Sequence, residues 1–234
     1  MDILLKIQRA EKHIGELHGV LGAFIKSKPY VISTESNPQS GKFLCEVKEA
    51  KEIPAEVALI AGDVLQNLRT ALDYLAHALI QANGGTVTKY TSFPIFDDPT
   101  KYQAGFIGKV EGMRQEPIDI ISAIKPYKGG DNVLWRLHRL NNIDKHRLLF
   151  TIGTALRGFV KGSPGGEDEA LLPMKVGYKF TVDIRDPKIH KDVNLSFDIT
   201  LNEPGVCEGE PIILVLRSSM QRVIGVLRKF ESWL

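Results

Sequence analysis

Residues 54–85 read PAEVALIAGDVLQNLRTALDYLAHALIQANGG, and the reading of this stretch decides the fold. Proline is tolerated at the first position of a helix, where its missing N–H would be unbonded anyway, so Pro54 is a start signal. Gly84 and Gly85 are a stop signal, because glycine enters the left-handed conformation that ends helices without steric cost. Between them Val57, Ala61, Val64, Leu65, Leu68, Leu72, Leu75 and Leu79 recur three or four residues apart, which is the spacing of one helical face. The stretch is therefore one helix of about 28 residues. Its other face carries Asp63, Gln66, Asn67, Thr70, Asp73, Tyr74, His77 and Gln81. Exposed helix faces favour Lys and Glu, yet no lysine occurs between Lys51 and Lys89. Short hydrogen-bonding side chains suit a polar interface or a cleft as well as a solvated face.

Toward the N-terminus, Ile3, Ile7, Ala10, Ile14, Leu17, Leu21 and Phe24 form a second helical stripe that Pro29 stops. YVISTE and FLCEVKE flank the turn-rich Ser36–Gly41 and predict a hairpin. Toward the C-terminus, TSFPIFDDPTKY reads as irregular, and a short helix is expected near 116–124. A further helix starts at Asp131 as N-cap and runs through LWRLHRLNNIDKHRLL to residue 149. The period then changes to two. Tyr178, Phe180, Val182 and Ile184, with Val193, Leu195, Phe197, Ile199 and Leu201, read as an antiparallel hairpin. PIILVLR reads as another strand, and Met220, Val223, Ile224, Leu227, Phe230 and Leu234 as a closing helix. The expected class is α+β: a helical bundle packed with an antiparallel sheet built from hairpins, in one domain over 1–234. That domain is helix-rich over 1–148, strand-rich over 149–217 and helical over 218–234.

Thirty Lys plus Arg against 28 Asp plus Glu leave a net charge of +2, too near balance to announce nucleic acid as a partner. No apolar run suits a membrane span and the N-terminus is charged too early for a signal peptide, so a cytoplasmic protein is expected. Two cysteines cannot build a disulfide framework or a four-thiolate zinc site, and Cys45 in FLCEV reads as a small core residue. Nucleophile-elbow, Walker, dinucleotide-fingerprint and zinc-helix motifs are absent. The glycine-rich KGSPGGEDEA lacks the strand–turn–helix context of a phosphate cradle and reads as a loop.

Polar chemistry concentrates on two helices. Asp73 and His77 stand four apart, on one turn, where they can orient each other as an acid–base pair, share a metal or make a plain hydrogen bond. The later helix holds Trp135, His138, Arg139, Asn142, Asp144, Lys145, His146 and Arg147, while its leucines spread round the circumference, so some polar groups must be buried and paired. Asp63 or Asp73 is the expected partner of Asp144, Lys145 or Arg147. Two ligands from each helix, Asp73, His77, His138 and His146, are a conceivable divalent-metal set.

GDVLQNLRTALDYLAHAL (62–79) and LHRLNNIDKHRLL (137–149), with FPIF and KPYKGG between, resemble a family of bacterial proteins of about this length. The resemblance covers roughly residues 1–150 and implies an architecture and a bacterial origin, but no reaction. Arg139 and His146, six residues between them, resemble the motif of HEPN ribonucleases, as do Arg185 and His190. That likeness implies His146 as acid or base on an RNA 2′-hydroxyl and Arg139 on the phosphate, without metal.

The expectation is a polar cleft between the two helices, lined by Asp63, Asn67, Asp73, His77, His138, Asn142, Asp144, His146 and Arg147, with Trp135, Arg139 and Lys145 at its edge. If catalytic, it is a hydrolase site: a histidine activates water on a small-molecule ester or phosphodiester, and Arg147 or Lys145 stabilises negative charge. The competing expectation is a non-catalytic ligand-binding or interaction module, its polar residues a structural network and the first helix's apolar face a homodimer contact.

Overall fold

The computed structural model describes residues 3–37, 42–149, 151–160, 172–183 and 193–233. The turn residues 38–41, the glycine-rich 161–170 and the Arg185–His190 pair lie outside the described residues. The fold is α+β, with a C-terminal helix.

Helix α1 spans Ile3–Lys26. Its stripe residues Ile7, Ala10, Ile14, Leu17, Leu21 and Phe24 are already buried within the single chain, so this face is not free for a homodimer contact as expected. Strands β1 (Tyr30–Asn37) and β2 (Lys42–Ala50) form the expected antiparallel pair, Tyr30 opposite Ala50. Helix α2 spans Ala55–Ala82, 28 residues. Gly84, at φ +73°, turns the chain so that the N–H groups of Gly84 and Gly85 donate to the carbonyls of Gln81 and Ile80, both at 2.9 Å.

The stretch read as irregular contains helix α3 (Pro99–Val110). Asp98 caps it by accepting from the Lys101 N–H at 2.9 Å, with Pro99 at the first helical position, the same start grammar as elsewhere in the chain. Helix α4 spans Gln115–Ile124. Helix α5 starts at the predicted cap, Asp131 accepting from the Leu134 N–H at 3.1 Å, but covers only Asn132–Asp144. Lys145, His146, Arg147 and Leu148 are exposed, so the sequence beyond Asp144 has no apolar face to hold it helical.

Strands β3 (Thr151–Val160), β4 (Leu172–Pro173), β5 (Lys179–Asp183), β6 (Val193–Glu203) and β7 (Cys207–Pro211) follow. The expected β5–β6 hairpin is not formed: β5 pairs with β2, Phe180 opposite Cys45, and β6 pairs with β3 and β7. The result is two sheets, ordered β1–β2–β5 and β4–β3–β6–β7. Alternation reports that a strand has one buried face but not which strand it lies beside. PIILVLR is not a strand. Helix α6 runs over Ile212–Arg228 and a 3₁₀ turn over Glu231–Trp233, so the last helix starts six residues before the predicted 218. Its buried residues Ile212, Val215, Leu216, Ser219, Val223, Val226 and Leu227 hold the helical period, and Leu214 is exposed as that period requires.

Two compact units result. One comprises Met1–Leu17, Leu59–Leu149 and Ile213–Leu234 and is helical, with Leu65, Leu68, Leu72 and Leu75 of α2 fully buried, as are Phe93, Ile121, Leu134 and Leu137. The other comprises His18–Ala58 and Phe150–Ile212 and holds both sheets around Phe43, Cys45, Val47, Met174 and Phe180. No described helix is long and apolar enough to cross a membrane.

Candidate functional site

The two helices singled out by sequence do meet. Gly62 of α2 lies against Asp144 of α5, and Arg69 of α2 against His138, so the helices run antiparallel with 62–69 alongside 138–144. The polar band along this seam has a closed end and an open end.

Arg69 organises the closed end. It is 6% exposed and donates from every nitrogen: Nη1 to Asp73 Oδ1 at 2.7 Å, Nη2 to the Phe93 carbonyl at 2.9 Å and Nε to His138 Nδ1 at 3.3 Å. Asp73 Oδ1 also accepts the Phe93 N–H at 2.9 Å. A guanidinium taken out of water costs several kcal/mol unless it is paired and hydrogen-bonded, and here Asp73 pairs it and each nitrogen makes a bond. Burial lowers its pKa and Asp73 raises it back. His138 is driven down to about 3 by burial and then by the Arg69 charge, so its ring is neutral. With Nδ1 accepting from Arg69 the proton sits on Nε2. Asn142 Nδ2 lies 3.0 Å from Nε2, and turning that side-chain amide over lets Nε2–H donate to its oxygen.

These bonds overturn several expectations. Neither His138 nitrogen is available as a base. Asp73 does not pair with His77, since Arg69 and Phe93 hold its oxygen; His77 Nε2 instead lies 3.3 Å from the Thr91 carbonyl. Asp73, His77, His138 and Asn142 therefore anchor the 91–97 loop and α5 to α2. Arg69 itself escaped the sequence reading, although a signal existed: it is the only Lys or Arg between Lys51 and Lys89, and it sits among the leucines at 65, 68 and 72.

The open end is built on Gly62. A methyl group there would fall inside the van der Waals contact of the Asp144 carboxylate, so the absence of a side chain at Gly62 is what lets that carboxylate lie against α2. Asp144 is half-buried and makes no hydrogen bond or ion pair among the described residues. Burial raises its pKa, and the charge on Asp63 raises it further. Asp73, one of the two expected partners of Lys145 or Arg147, is held by Arg69 instead; Lys145, His146 and Arg147 are exposed, and the His146 and Arg147 N–H groups close the helix by donating to the Ile143 carbonyl. Asn67 Nδ2 donates to the Asp63 carbonyl at 2.8 Å. Asn141, one turn before Asp144, is 1% exposed with neither amide atom bonded among the described residues.

The remaining candidates lie apart from this seam's chemistry. Trp135 is buried, with the Lys128 ammonium 4.7 Å from its ring centre, so it packs the fold rather than edging a cleft. Arg139 Nη1 stands 3.6 Å from Asp97, which Lys101 also holds at 2.9 Å. No hydrogen bond or ion pair joins Arg139 to His146 among the described residues, and His146 lies beyond the end of α5. Asp73, His77, His138 and His146 do not form a metal set: among the described residues no three His, Cys, Asp or Glu side chains converge as one needs. No known protein family, curated protein or solved structure matches the chain.

Proposed function

We propose that the protein is a hydrolase acting at the open end of the seam, with Asp144 as general acid and Asp63 as general base toward water. The Asp144 carboxyl carries this reading: half-buried against Gly62, without a counter-ion among the described residues, its pKa raised while Asp63 stays exposed. Two carboxyls in unlike surroundings divide the work of acid and base, one donating to a leaving oxygen and the other taking a proton from water. Lys145 and Arg147 follow closely in the chain and supply positive charge for a developing anion. The substrates that fit are small phosphodiesters and carboxylic esters, in a bacterial cytoplasm.

The test is turnover of bis(p-nitrophenyl) phosphate and p-nitrophenyl acetate by the full chain. Asp144→Asn and Asp63→Asn should each lower the rate by about 10²-fold, the usual size of a general acid or base contribution, at an unchanged thermal midpoint. Turnover no faster than buffer, or equal turnover in both variants, rejects the reading. The second reading, a non-catalytic module, is favoured by the Arg69 network, which holds Asp73 and His138 in structural bonds. It predicts no turnover, and a more stable Asp144→Asn protein.

A further inference from the structure

A second reactive group sits beside the closed end. Ser92 Oγ lies 2.7 Å from Lys109 Nζ of α3. Its two neighbours in the chain are clamped by α2: the Thr91 carbonyl contacts His77, and Phe93 is bonded through its N–H to Asp73 and through its carbonyl to Arg69. Three polar residues of one helix thus hold the backbone on both sides of one half-buried serine. The serine's own N–H makes no hydrogen bond among the described residues and is available as a donor to an oxyanion.

Lys109 is half-buried, with its ammonium 5.8 Å from the centre of the Phe96 ring. Burial lowers its pKa, the Arg69 charge lowers it further and Asp73 opposes them; His138 also feels its charge. A lysine whose neutral amine is accessible, hydrogen-bonded to a hydroxyl, is the base half of a serine–lysine nucleophile pair.

The geometry points to Ser92 as a covalent nucleophile and Lys109 as its base, in a second site that takes carboxylic esters. Ser92 Oγ bonds to the ester carbonyl carbon while its proton passes to the Lys109 amine. The tetrahedral adduct then breaks its bond to the alkoxy oxygen, which takes that proton from Lys109 and leaves as the alcohol. Water, deprotonated by the same amine, next displaces the serine oxygen, releasing the carboxylic acid and restoring the hydroxyl. Asp73 and Gly62 are eleven residues apart on α2, roughly 16 Å of helix, so this site stands or falls separately from the carboxylate pair.

The test is labelling of the full chain by a tagged fluorophosphonate, read by intact mass and peptide mapping. One adduct on Ser92 is expected, absent in Ser92→Ala and forming at least tenfold more slowly in Lys109→Met at an unchanged far-UV spectrum. Lys109→Arg should not rescue, because a guanidinium does not give up its proton. The labelling rate should rise with pH to a midpoint below 10.5, the ordinary lysine value. No adduct on wild-type Ser92, or an equal rate in Lys109→Met, overturns the assignment.

Discussion

Arg69 shows how one residue can hold several segments at once. Removing it leaves the Asp73 carboxylate with the Phe93 N–H but no counter-ion, and the Phe93 carbonyl without the Arg69 donor, so Arg69→Met should cost about 3 kcal/mol, the low end of the loss when a buried ion pair is broken from one side. Guanidinium-chloride unfolding measures this, and a loss below 1 kcal/mol would show the network to be ornamental. His138 adds a pH dependence. Its folded value is about 3 against 6.5 for the free ring, so between these values the unfolded chain binds more protons and stability falls as pH falls. The loss should be on the order of 4 kcal/mol across the window, less for the part of the ring that solvent reaches. Asp144 acts in the opposite sense: its raised carboxyl contributes stability at low pH that is lost as pH rises through the folded value. A His138→Gln protein should lose most of the acid-side slope below pH 6.5 when stability is measured against pH.

Between elements, the α2–α5 contact depends on a position without a side chain. Gly62→Ala must turn the Asp144 carboxylate away, and because the obstacle is the tip of a half-buried side chain the cost should be about 1 kcal/mol, the low end of overpacking. Adding Asp144→Ala should return much of that loss, and a double-mutant cycle with no coupling would place the two residues apart. Helix α4 offers the reverse change. Lys125 caps it in the left-handed conformation at φ +54°, donating its N–H to the Ser122 carbonyl at 3.2 Å. Glycine adopts that conformation freely, so Lys125→Gly should raise stability by about 0.5–1 kcal/mol in thermal unfolding. Signals of this kind were legible for the end of α1, both ends of α2 and the start of α5. They were overlooked at Asp98–Pro99, where the same grammar opens α3.

At the scale of the molecule, α1 and α2 each contribute residues to both compact units. Both tryptophans, Trp135 and Trp233, belong to the helical unit, and both cysteines, Cys45 and Cys207, are buried in the sheet unit. Tryptophan fluorescence and thiol reactivity therefore follow one unit each. Because helices common to both must unwind when either opens, the two probes should report one denaturant midpoint; separate midpoints would mean two independently folding domains. Local patterns alone determined the α+β class, the long helix with its two ends, the first hairpin and the helix begun by Asp131, because helical period, alternation and caps are written within a few residues of one another. Strand partners, the helix over Ile212–Arg228 and the end of α5 depended on which apolar residues find cover, and only the folded chain supplies that cover. The candidate site divides in the same way. Its residue types and its two helices were visible in the sequence, but which groups were already bonded was not. Arg69 reaches His138 across 69 positions of sequence, and the bonds it completes there are what withdraws Asp73 and His138 from acid–base work.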